Sequence, residues 1–132
     1  MMRSILGTLA GVVAGVIVVG LLEGFGHMIF PPPEGVNLMN PEDLSAIMNT
    51  ISLGAKISVL IAWGAGVFVG GVAALFITKS ETWPAWAVGA VLLMGGFYTM
   101  TTIPHPIWMI FGAVLVTLAG VYGALKVAAA RA

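Results

Sequence analysis

Two polar side chains stand four residues apart at the end of an apolar run: Glu23 and His27, in GLLEGFGHMIFPPPE (residues 20–34). On a helix this spacing puts them about one turn apart, within reach of a hydrogen bond or of joint coordination. Further along the chain come Lys56 and His105. One carboxylate and two imidazoles, Glu23, His27 and His105, form the donor set of a facial triad or a hydrolytic zinc site. A carboxylate in an apolar helix can also carry a proton or an ion. The plainest chemistry is structural, with Glu23 paired to His27 or Lys56, because polar groups inside a membrane usually pair. E-x-x-x-H is not the H-E-x-x-H of zinc proteases, and the chain has no cysteine to supply a thiolate. The residues therefore favour a polar network that needs no cofactor, with a metal ion at Glu23, His27 and His105 and an ion pathway through Glu23 as alternatives.

Composition says what must hold these groups in place. Of 132 residues, 60% are hydrophobic and only 8% charged. A water-soluble protein carries about 25% charged residues to solvate its surface, so the solvent for most of these side chains is the lipid bilayer. Five basic and five acidic groups leave a net charge of zero, which gives no basic stripe and no reason to expect nucleic acid as a partner. No Ser, His and Asp set and no phosphate-binding glycine loop is present, so the sequence does not read as an enzyme.

Four apolar stretches run from about Ser4 to Leu22, Leu53 to Ile77, Trp83 to Thr101 and Ile107 to Ala129. Each is close to the ~20 residues a helix needs to cross a hydrocarbon core ~30 Å thick. Helices are required because lipid offers no hydrogen bonds to free backbone groups, and the runs are too long and uniform for barrel strands. The first exceeds the ~7–15 residues of a signal-peptide core, so it is read as a span. The expected architecture is a single all-α transmembrane domain over residues 1–132, a four-helix bundle.

Cations set the expected topology. Arg3, Lys79, Lys126 and Arg131 fall on one side of a four-span chain and Lys56 alone on the other, so both termini are expected in the cytoplasm. Trp83 and Trp86 then mark the inner interface, Tyr98 and Trp108 the outer. The same topology collects Glu23, His27, Lys56 and His105 on the outer side. The outer loop, residues 28–52, opens with Pro31, Pro32 and Pro33, which cannot continue a helix. Asn40 followed by Pro41, Glu42 and Asp43 reads as a cap, a first-turn proline and acids at the positive end of a dipole. A short surface helix is expected over about 41–49, its apolar positions Leu44, Ile47 and Met48 on one face.

Eighteen glycines are present, many at small-xxx-small spacing that lets membrane helices approach closely. Gly7, Gly11 and Gly15 form one stripe, Gly66 and Gly70 with Ala62 and Ala74 a second, and Gly120 with Ala124 and Ala128 a third. On a helical wheel, Gly20, Glu23, Gly24 and His27 lie roughly opposite the first stripe. The plainer reading of the stripes is tight packing within one bundle and the sharper one a dimer face; in the first helix the polar stripe is expected to face the bundle, which would leave that helix's glycines for a second copy or another membrane protein.

GH at 26–27, FPPPEG at 30–35, AW at 62–63 with GAGVFVGG after it, and IPHPIW at 103–108 resemble an uncharacterised family of small four-span bacterial inner-membrane proteins, over nearly the whole chain. The resemblance implies a bacterial inner membrane and four helices, and no activity. In size the chain is also similar to small multidrug-resistance transporters, dimers with a glutamate in the first helix, although Glu23 is read at the outer end of its span. The expected role is a structural, accessory or interaction subunit, with a proton- or ion-coupled transporter using Glu23 as the runner-up and the outer metal site third.

Overall fold

The computed structural model describes residues 2–30, 42, 53–78, 81–102 and 107–131. They form four helices, α1 (Met2–Ile29), α2 (Leu53–Thr78), α3 (Trp83–Thr102) and α4 (Ile107–Arg131), and no strand is present among the described residues. All four are long and apolar enough to cross a bilayer, the architecture of an all-α, multi-pass membrane bundle. The short helix expected over 41–49 lies outside the described residues apart from Glu42, which is helical and exposed. Pro31 to Pro33, Lys79 and His105 also lie outside them.

The first helix runs to Ile29, not to Leu22. Neither Glu23 nor His27 interrupts the backbone ladder. The Phe30 amide still donates to the Gly26 carbonyl at 2.8 Å. What ends the helix is Pro31, because a residue that precedes proline is pushed out of the α region, and Phe30 forms a bend. The phenyl ring of Phe30 then covers Gly54, where an added Cβ would meet its Cζ at 2.7 Å. That contact seats the C-terminal end of α1 on the start of α2. At the other side, Thr82 opens α3 by accepting the Ala85 amide at 3.3 Å. Pro84 falls in the first turn, where its missing N–H forfeits no intrahelical bond.

α2 is the centre of the bundle. It packs against all three other helices, most extensively against α1 and then α4, while α1 and α4 lie on opposite flanks. Two seams on α2 explain the glycines. On one, Gly7, Gly11 and Gly15 of α1 are buried against Gly66, Gly70, Ala74 and Thr78. A Cβ at Gly15 would stand 2.8 Å from the Gly66 carbonyl oxygen, and one at Gly11 would collide with the carbonyl of Gly70. On the other, a Cβ at Gly120 of α4 would meet the Gly64 carbonyl at 2.8 Å and Val67 at 3.0 Å. Val67, Leu75, Ala85, Val121 and Ala124 fill the half of the core nearer the α2–α3 turn, and Leu60, Met109 and Ala113 form a second cluster toward the start of α2.

The glycine stripe of α1 therefore packs within its own bundle, the plainer of the two readings of the stripes, and not outward as the wheel of the first helix suggested. Gly20 and Gly24, expected inward, have nothing within 4 Å of an added Cβ. The reason is the direction of the seam. Gly7, Gly11, Gly15, Val19 and Glu23 are spaced by four, and α2 answers with Gly66, Gly70, Ala74 and Thr78, also spaced by four. Packing of two such ridges follows a line oblique to the helix axis, as in close right-handed small-xxx-small crossings. A straight wheel turns each four-residue step into a displacement of about 40°, so four steps make Glu23 look opposite to Gly7. Along the ridge, both lie on the inward seam.

Candidate functional site

Glu23 sits six residues before the end of α1, about 9 Å below it at 1.5 Å per residue, and is half-buried. Its Oε1 accepts a hydrogen bond from the Trp63 indole Nε1–H at 2.8 Å. Trp63 belongs to the middle of α2, and its ring lies over Gly96 of α3, 3.4 Å from where a Cβ would be. A Cβ at position 96 would rest in ordinary contact with the ring. Helix α1 thus supplies the charge, α2 the donor and α3 the flat surface that holds the donor in place.

These groups line a partly open cavity of about 230 Å³. All four helices contribute: Val16, Val19 and Glu23 from α1, Trp63 and Val67 from α2, Leu92, Leu93, Gly95, Gly96 and Thr99 from α3, and Thr117 from α4. The walls are largely apolar. The Thr99 hydroxyl donates to the Gly95 carbonyl at 3.1 Å and the Thr117 hydroxyl to the Ala113 carbonyl at 2.8 Å. Both protons are turned back onto their own helices, so the hydroxyls can only accept from the cavity. Glu23 is the charge-bearing side chain of the lining, and no hydrogen bond to its second oxygen is present among the described residues.

The grouping expected from the sequence is divided. Glu23 reaches inward to Trp63, not to His27 or Lys56. His27 is exposed and Lys56 half-buried, and neither lines the cavity. No group of three His, Cys, Asp or Glu able to hold a metal stands together among the described residues, and His105, the third ligand of the expected set, lies outside them. The residue missed was Trp63. Its signal was its position: the other tryptophans, Trp83, Trp86 and Trp108, fall near helix ends where water or the groups of a turn can take the indole N–H, whereas one in the middle of a span requires a partner within the bundle.

A second polar cluster, also missed, stands at the opposite end of the bundle. Ser4, only 2% exposed, donates its hydroxyl to Glu81 Oε1 at 2.7 Å. Trp83 Nε1–H donates to Glu81 Oε2 at 2.5 Å, and Arg3 Nε donates to the Ile77 carbonyl at 2.6 Å. The Ser4 hydroxyl first, then the Trp83 indole, hold the Glu81 carboxyl below its ordinary value by bonding its charged form. Arg3 satisfies a carbonyl in the last turn of α2, where a cation also suits the dipole. The cluster ties the start of α1 to the α2–α3 turn. Beside it, the buried Thr78 hydroxyl has no hydrogen-bond partner among the described residues, lying against Gly7 where a Cβ would approach to 2.7 Å.

Comparison with protein-family models, with curated proteins and with solved structures finds no match for this chain. The functional reading rests on the geometry.

Proposed function

We propose that the protein is a small proton- or ion-coupled carrier of the bacterial inner membrane, working through Glu23, with both termini in the cytoplasm. The observation that carries the reading is the Glu23 carboxylate, which accepts from Trp63 through one oxygen while lining a 230 Å³ cavity shared by all four helices. Ionisable groups within spans are costly and mark ion or substrate pathways. Helix α1 continues from Glu23 to Ile29, which supports a place for the carboxylate within the span rather than at its outer end. Arg3, Lys79, Lys126 and Arg131 support the orientation, and the IPHPIW and FPPPEG resemblance supports the bacterial membrane.

The test is reconstitution into liposomes loaded with a pH-sensitive dye. A cation gradient should drive proton movement in the wild type and not in Glu23→Gln. Equal flux in the two proteins, or in empty liposomes, would sink the carrier reading provided both proteins retain the Trp63 signal.

An accessory subunit or homo-oligomer is the second reading, and one observation favours it. The outer face of α1 exposes Leu6, Leu9, Val13, Ile17, Leu21 and Phe25, with open space at Gly20 and Gly24. The stripes at Gly7, Gly11, Gly15, Gly66, Gly70 and Gly120 are occupied within the chain, so a partner would have to dock at Gly20 and Gly24. Native mass spectrometry with Gly24→Leu tests this: a stoichiometric partner or second copy lost in that variant supports it, and a lone wild-type monomer overturns it.

A further inference from the structure

We infer that the α4 face running from Lys126 to Phe111 holds one anionic phospholipid, its phosphate on the Lys126 ammonium and an acyl chain along the apolar residues beyond. Phe111, Leu115, Leu118, Tyr122 and Lys126 follow one another at helical spacings of three or four, which puts them on one side of α4. All five are exposed. The four uncharged ones are ordinary on a surface that meets lipid. The cation is not, because ionisable side chains within spans almost always turn inward or pair.

Lys126 does neither. It stands five residues before the end of α4 at Arg131, about 7.5 Å into the helix. A lysine near a helix end ordinarily extends its ammonium outward to the interface. Here the Lys126 Nζ lies over the Tyr122 ring, 5.4 Å from its centroid, one turn further from that end. Side chains on a helix lean toward its N-terminus, and for α4 this is the far side of the bilayer. The ring face attracts the ammonium without neutralising it. No ion pair of Lys126 is present among the described residues: Glu23 is engaged with Trp63, and Glu81 with Ser4 and Trp83.

A lipid phosphate supplies the missing anion at that depth. Anionic lipids populate the cytoplasmic leaflet, the side to which the cations assign this end of α4. The apolar stripe suits the rest of the molecule. Tyr122 and Phe111 are eleven residues apart, about 16 Å along the helix, against about 15 Å for one leaflet of a ~30 Å core. The inference needs only the membrane-spanning architecture and is independent of any role for Glu23.

Native mass spectrometry of the full chain, released from nanodiscs of phosphatidylglycerol and phosphatidylcholine in equal parts with matched chains, reads the bound lipid. The wild type is expected to keep one phosphatidylglycerol in preference to phosphatidylcholine. Lys126→Gln should lower that preference roughly five-fold, the worth of one cation near a bilayer surface, and Lys126→Arg should restore it. Tyr122→Leu should lower it roughly two- to five-fold through loss of the ring face. Both side chains are exposed, so the core is left intact. Lys79→Gln removes a cation from the same end of the bundle and should change nothing.

Equal retention of the two lipids by the wild type would overturn the inference. A loss in Lys79→Gln matching that in Lys126→Gln would reveal diffuse attraction to charge and overturn the site. Displacement of the lipid by an equal concentration of glycerol phosphate would overturn the lipid as occupant. A stoichiometric protein lost in Lys126→Gln, without lipid preference, would overturn it in favour of a membrane partner.

Discussion

Gly11→Ala, compared with Gly24→Ala, separates the two faces of α1. At Gly11 an added methyl collides with the Gly70 carbonyl and stands 2.9 Å from both Ala74 Cβ and Val88 Cγ2. Ordinary contact begins at about 3.4 Å, so α1 must retreat by at least 0.5 Å (3.4 − 2.9). The nearest obstacle is backbone and cannot rotate away. A gap of 0.5–1 Å forfeits about a quarter to a half of each contact's attraction, and overpacking of this kind costs roughly 1–3 kcal/mol. Lipid supplies no hydrophobic drive to offset the loss, since α1 exchanges protein neighbours for equally apolar chains. At Gly24 nothing lies within 4 Å. Both variants gain the same helix propensity, up to ~1 kcal/mol, so their difference isolates the steric part, about 1–3 kcal/mol in favour of Gly24→Ala. Unfolding by SDS in mixed micelles, followed by tryptophan fluorescence, measures it. Equal midpoints for the two variants would refute the assignment of α1's inward face.

The remaining predictions concern the polar groups and the orientation. Glu23→Gln should retain the Trp63 bond, because an amide oxygen also accepts, and so change stability little. Glu23→Leu leaves the indole N–H without an acceptor and should cost about 1–3 kcal/mol in the same SDS titration. For Glu81, whose pKa is depressed below the ordinary 4.5, the stabilisation is present above that value. It is lost as pH falls through the lowered one. Wild-type stability should therefore drop on acidification below about pH 4.5, and Glu81→Gln should flatten that drop in an unfolding series against pH. Because the chain lacks cysteine, single cysteines at Ala130 and at Asn37 report sidedness cleanly. An impermeant maleimide applied to intact cells should label position 37 and spare position 130 until the cells are opened.

The sequence by itself determined the helices, because composition and run length depend on residue type alone. Charge below a tenth of the residues and four apolar runs of membrane length leave no other secondary structure that satisfies the backbone in lipid. The first span reads as ending at about Leu22, where Glu23 and His27 begin, whereas α1 runs to Ile29, just ahead of the proline run. The spacing of Gly7, Gly11 and Gly15 announced a close approach without saying to what. Only the tertiary structure decided that. The direction in which α2 crosses α1 is a property of two surfaces together, and it placed the glycines and Glu23 on one oblique seam that a straight wheel separates. The same crossing brought Trp63, 40 positions away, to the carboxylate and left His27 outside, because a partner across helices is chosen by packing, while a neighbour four residues along is fixed by the helix alone.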